Sequence, residues 1–122
     1  MSTEKKKKII IIDDEKSLVR NIKEYFELFD YECITAHDGN EGLRKIEKEK
    51  PQLMLLDILM PSLDGYSMLG YLRKRNIPIK CIVMTAKSKL RDLFVLENID
   101  MFLTKPFDLA ELKKTVDEII AR

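Results

Sequence analysis

An α/β fold built on a parallel sheet is predicted by three observations. Short apolar runs alternate with longer amphipathic ones in five successive pairs. The first, third and fourth runs are apolar at consecutive positions, as in strands buried on both faces. Polar residues then interrupt the pattern where the runs end, which is where an open parallel sheet gathers its ligand-binding groups.

The strands are read over Lys8–Ile12, Glu32–Ala36, Gln52–Leu56, Ile79–Met84 and Met101–Leu103. After the first strand Leu18, Ile22, Phe26 and Phe29 recur at helical spacing, with Tyr25 widening the stripe, so a first helix is expected over Glu15–Phe29. The second helix, Asn40–Lys50, offers only Leu43 and Ile46 as an apolar face before Pro51 stops it. Met68, Leu69 and Leu72 mark a third helix over Gly65–Arg75, and Leu90, Leu93 and Phe94 a fourth over Ser88–Glu97. Asp108 followed by Glu111 reads as a capping box, after which Leu109, Leu112, Val116, Ile119 and Ile120 hold one face of a fifth helix.

Composition narrows the function classes. At 122 residues, 45% hydrophobic and 35% charged, a single domain spanning 1–122 is expected. The longest apolar runs have four residues, against the roughly 20 that a membrane span needs, so no membrane association and a cytoplasmic location are expected. A formal net charge of +1 argues against direct nucleic-acid binding by this domain, and the basic run Lys5–Lys8 reads as a solvated lead into the first strand. Cys33 and Cys81 lie in apolar stretches without a Cys-x-x-Cys or histidine partner, as expected of buried, reduced thiols.

The chemistry concentrates at the strand ends. Asp13 and Asp14 follow the first strand, Asp57 the third, Thr85 the fourth and Lys105-Pro106 the fifth. Singly, each has an ordinary structural reading: an aspartate can cap the first helix or open a turn, and a loop lysine is usually solvated. Jointly, three carboxylates and an ammonium at one crevice would interact strongly.

These residues sit in Ile-Ile-Asp-Asp-Glu (11–15), Asp-Ile-Leu-Met-Pro-Ser-Leu-Asp-Gly (57–65), Met-Thr-Ala (84–86) and Phe-Leu-Thr-Lys-Pro-Phe (102–107). The set resembles the receiver domains of two-component response regulators, over essentially the whole chain. The resemblance implies a flavodoxin-like, doubly wound, five-stranded parallel sheet of order 2-1-3-4-5 with five helices, a phosphoaccepting aspartate and a divalent metal. It makes Asp57 the phosphoacceptor and Thr85 and Lys105 the pair contacting the phosphoryl group. Asp14 would hold the metal directly, Asp13 through water, with Asp57 and the backbone carbonyl of Leu59 completing the protein ligands. Thr85 and Phe102 match the family's switch residues, although a plain core aromatic is an equal reading of Phe102. Lys105-Pro106 matches a position that is cis in the family. Three carboxylates against one ammonium leave an excess that a divalent cation would cancel, and Mg²⁺ suits an all-oxygen site. Repulsion among the acids also predicts that Asp13→Asn stabilises the metal-free fold.

The expected partners are a histidine kinase or histidine phosphotransfer protein upstream and an unidentified protein downstream, contacted through the surface of the fourth helix, fifth strand and fifth helix. The domain would assist its own phosphorylation and dephosphorylation without being an enzyme on a separate substrate. The alternative is a receiver belonging to a larger DNA-binding regulator; the fifth helix lacks the arginine-rich continuation used for dimerisation there, so a monomer is expected when unphosphorylated. A flavin or nucleotide carrier would need a glycine- or hydroxyl-rich phosphate loop, which is absent from the sequence. A metal-dependent phosphatase would need a general acid/base, for which His37 is the one histidine. Glu97-Asn98-Ile99-Asp100 replaces the family's usual small residues before the fifth strand.

In the family, the residues two beyond the phosphoacceptor and two beyond the threonine flank the path of the hydrolytic water; here they are Leu59 and Lys87. An apolar Leu59 cannot orient a water, so a long-lived acyl phosphate is expected. Leu59→Asn should shorten its lifetime and Leu59→Met leave it nearly unchanged. Phosphate release from the purified phosphoprotein in Mg²⁺ measures this, and an Asn variant as slow as wild type would refute it.

Overall fold

A computed structural model describes residues 6–58, 65–86 and 99–122. In chain order the elements are β1 Lys7–Ile12, α1 Lys16–Glu27, β2 Tyr31–Ala36, α2 Gly39–Glu49, β3 Leu53–Asp57, α3 Gly65–Lys74, β4 Lys80–Thr85, β5 Met101–Thr104 and α4 Leu109–Ile120. The strands form one sheet of order β2-β1-β3-β4-β5, every neighbouring pair parallel. The described residues contain four of the five expected helices. The helix expected over Ser88–Glu97 lies outside them, so α4 is the last helix of the sequence reading.

The pleat explains why the strands read as solid apolar runs. Ile9 and Ile11 of β1 join Leu53, Leu55, Ile82 and Met84 in a cluster with Val19, Ile22 and Phe26 of α1 and Leu112, Val116 and Ile119 of α4. Ile10 and Ile12 point the other way, to Met54, Leu56, Cys81, Val83, Leu43 and Ile46 of α2, and Met68 and Leu72 of α3. All four β1 isoleucines have zero exposure, each contributing about 1.5–3 kcal/mol relative to an exposed side chain.

The second helix forms despite its thin apolar face because both ends are fixed. Asp38 at its N-cap accepts from Glu41 N at 2.8 Å, and Glu41 Oε1 accepts from His37 N at 2.8 Å. Lys50 closes the helix in the left-handed region at φ 52, its N–H bonded to Ile46 O. Gly42 replaces bulk with proximity: a Cβ there would lie 2.7 Å from Ile12 Cδ1, so α2 sits close on β1. In α4 the side chain of the capping Asp108 accepts from Ala110 N at 3.0 Å.

Two expectations need correction. The first helix stops at Glu27, and Asp30 turns at φ 64 so that β2 can start at Tyr31. Phe29 therefore leaves the core stripe; it is 46% exposed, with its ring against Tyr25 and beneath Lys113 Nζ at 4.5 Å. The basic run is also not simply solvated, because Lys8 is half-buried and its Nζ donates to Glu49 O at 3.0 Å, with Glu32 and Glu49 carboxylates nearby. Asp100, from the segment that departs from the family, docks the start of β5: its Oδ2 accepts from Cys81 N and its N donates to Cys81 O, both at 2.8 Å. Cys33 and Cys81 are free and buried, and burial pushes the Cys33 thiol up to about 12 and Cys81 higher still.

The capping geometry of α2 yields a stability prediction. Asp38→Ala should cost about 1 kcal/mol, lowering the thermal midpoint by about 4 °C at this chain length. Calorimetry checks it, and an unchanged midpoint would mean that the cap is not needed.

Candidate functional site

The sheet delivers the candidate residues to its carboxyl edge with little slack. Asp13 follows Ile12, and its N–H bonds Ala36 O at 3.1 Å, continuing the β1–β2 ladder by one step. Asp57 is the last residue of β3 and Thr85 the last of β4. Lys105 follows β5, its N–H bonded to Thr85 O at 2.8 Å, and the Lys105-Pro106 peptide is cis. Alternation carries Asp13, Asp57 and Lys105 to the α1/α4 side, in line with Ile11, Leu55 and Leu103. Thr85 continues the row of Cys81 and Val83 on the opposite side.

Burial separates the three acids. Asp13 is fully buried and Asp57 is 6% exposed, whereas Asp14 is exposed. One oxygen from each of the three lies within 4.8 Å of the others. Asp13 is satisfied by protein: Oδ1 accepts from Glu15 N at 2.9 Å and Oδ2 from Lys105 Nζ at 2.7 Å. Lys105 Nζ also lies 3.5 Å from Asp57 Oδ2 and 3.9 Å from Glu15 Oε1. Burial pulls the Lys105 ammonium down, but the Asp13 hydrogen bond and the charges of Asp13, Asp57 and Glu15 outweigh it and raise the pKa overall. A raised value means the ammonium favours the folded state below its ordinary 10.5 and loses that contribution only as pH climbs above it.

This geometry argues for the opposite of the expected stabilisation by Asp13→Asn. Asp13 faces Lys105 at hydrogen-bond distance, and an amide there would place one donor against another. The acid with room to be neutralised is the exposed Asp14. Nor does Asp13 cap the helix: the N-cap of α1 is Glu15, and the Asp13 side chain closes a turn before it.

The donor set fits a hard divalent cation. It is all carboxylate, with no histidine or cysteine in the group, and carries excess negative charge, as Mg²⁺ sites do. Both Asp13 oxygens are engaged by protein donors, whereas Asp14 is exposed. His37 ring Nδ1 lies 3.4 Å from the Asp13 carbonyl, so this histidine braces the turn.

Phe102 is half-buried against the α2/α3 cluster, on the same side of the sheet as Thr85. Leu59 and Lys87 lie outside the described residues. The sequence reading missed the place of Glu15 beside Lys105; the visible signal was a glutamate where a helix start favours Ser, Thr, Asp or Asn.

Comparison with known proteins agrees with this geometry. Residues 9–117 match the family model of the response regulator receiver domain. The chain is 39% identical over 118 residues, 95% of its length, to the alkaline phosphatase synthesis transcriptional regulatory protein PhoP of Bacillus subtilis, and covers 49% of that protein. It is likewise 39% identical over 120 residues to the probable transcriptional regulator ycf27 of Cyanophora paradoxa, covering 96% of this chain and 49% of that protein. The chain thus spans about half the length of these relatives. Among solved structures, the Francisella response regulator 1452 receiver domain superposes with a TM-score of 0.87 at 33% identity, covering 94% of this chain and 97% of that one. The Thermotoga maritima response regulator TrrA, in complex with Mg²⁺-BeF, gives 0.82 at 34% identity, covering 93% and 98%. Since the match runs from within β1 to within α4 and takes in every strand end that builds the crevice, the chain belongs to the family of response regulator receiver domains.

Proposed function

We propose that Asp57 accepts a phosphoryl group from a phosphohistidine on a kinase or phosphotransfer protein. The observation that carries this reading is the Asp57 carboxylate at the sheet's carboxyl edge, 3.5 Å from Lys105 and grouped with two further acids. An Asp57 oxygen forms the new bond to phosphorus as the P–N bond breaks, the leaving imidazole nitrogen keeping the electron pair. Catalysis of such a transfer rests on positioning and charge neutralisation. Lys105 supplies a positive charge to one phosphoryl oxygen and the Thr85 hydroxyl a hydrogen bond to another. A divalent cation held by Asp14 and Asp57, with Asp13 through water and the Leu59 carbonyl, would supply further charge neutralisation; Mg²⁺ in the complex of the Thermotoga relative supports that assignment.

Phosphorylation adds charge and acceptor oxygens, which draw Thr85 toward Asp57. Phe102, on Thr85's side of the sheet, then follows, changing the surface that β5 and α4 offer a downstream partner. Leu59 and Lys87 tune how long the acyl phosphate survives. The domain assists both steps on itself and has no separate substrate. A second reading, a receiver within a larger DNA-binding regulator, is favoured by the relatives, which are named as transcriptional regulators and are about twice as long.

Mg²⁺-dependent labelling with acetyl phosphate tests the central role: wild type should be labelled and Asp57→Ala should not. Label persisting in the variant would refute Asp57 as the acceptor. The charge distribution gives an independent test, read as thermal unfolding in EDTA. Asp13→Asn should lose about 1–3 kcal/mol, because it breaks a buried, charge-assisted hydrogen bond, whereas Asp14→Asn should raise the midpoint by removing an exposed like charge. The opposite order would mean that repulsion among the acids outweighs the Lys105 pairing at Asp13.

A further inference from the structure

Glu15 occupies the N-cap of α1, where a side chain ordinarily accepts a hydrogen bond from the first turn, yet its own makes no such bond. The carboxylate lies instead 3.9 Å from Lys105 Nζ, with side-chain exposures of 58% for Glu15 and 16% for Lys105. Lys105 thus stands between the buried Asp13 on its inner side and the exposed Glu15 on its outer side. Glu15 and Lys105 also line one groove of ≈ 140 Å³ with Leu18, Pro106 and Phe107.

Resting on the reading of Asp57 as phosphoacceptor, we infer that Glu15 is a specificity-determining rim residue that ranks phosphodonors by their charge. A phosphoryl group seated on Lys105 competes with the Glu15 carboxylate for the ammonium and meets its like charge. In water, two like unit charges about 6 Å apart lower the probability of encounter roughly threefold. The penalty is therefore roughly tenfold for a donor with two negative charges and roughly threefold for one with a single charge. Free acyl phosphates are disfavoured most. A phosphohistidine whose ring carries a second proton has one charge offset, like a donor with a single negative charge, and is disfavoured less.

Two small donors of different charge isolate the effect. Acetyl phosphate carries about two negative charges and phosphoramidate about one near neutral pH. With acetyl phosphate, a bond from an Asp57 oxygen to phosphorus forms, the P–O bond breaks and acetate leaves with the electron pair. With phosphoramidate, the P–N bond breaks and nitrogen leaves as ammonia, its protons already in place. Labelling rates in Mg²⁺ are compared for wild type and Glu15→Gln at low salt and at about 1 M salt, where screening falls to roughly 3 Å. Glu15→Gln should speed acetyl phosphate labelling about tenfold and phosphoramidate labelling about threefold at low salt, with both gains collapsing at high salt. Equal gains for the two donors, no gain, or a gain insensitive to salt would overturn the rim role while leaving Asp57 as acceptor. If folded wild type is labelled by neither donor, the acceptor reading fails, and the inference with it.

Discussion

The buried ion pair between Asp13 and Lys105 is the contact on which the rest of the crevice depends. A carboxylate with no solvent exposure is costly unless its charge is compensated, and Lys105 supplies that compensation at 2.7 Å. The pair joins the end of β1 to the segment after β5, two places 92 residues apart in sequence. It therefore closes the crevice across β3 and β4 and brings the same ammonium within 3.5 Å of Asp57. One lysine serves as structural counter-ion for one acid and as positive charge beside the next.

The sheet makes such a placement possible. Its central strands are buried on both faces, so a slip in register would break two apolar clusters at once. The strand ends are thereby held level, and single backbone bonds extend the ladder past β1 and β5 to set Asp13 and Lys105. Groups that must meet a ligand in one geometry gain from this rigidity. The apolar layers below the site thus contribute to function without touching a ligand.

The three aspartates, alike in sequence, are unlike in place. Asp13 is sealed and internally paired, Asp57 is nearly buried but grouped with the others, and Asp14 is open to solvent. Such a gradient gives three identical side chains three different surroundings at one crevice. Asp38, Asp108 and Asp100 do quite different work, capping two helices and pinning the start of β5.

Much of this was legible in the amino-acid order. Consecutive apolar residues in the first, third and fourth strands announced burial on both faces, since a half-exposed strand must alternate. Asp13, Asp14, Asp57, Thr85 and Lys105 fell at strand ends because the change from apolar to polar marks where a strand leaves the core. The end of α1 was not legible: Phe29 keeps the helical spacing, and only the chain's need to reverse into β2 at Asp30 removes it from the core. The strength of α2 was hidden too, because Gly42 contributes by closeness to Ile12, which no hydropathy pattern records. Above all, the sequence determined which charges meet at the sheet edge, and tertiary structure alone decided which of them pair. Partnership depends on burial and on distances of a few ångströms between segments far apart in the chain, as between Asp13 and Lys105.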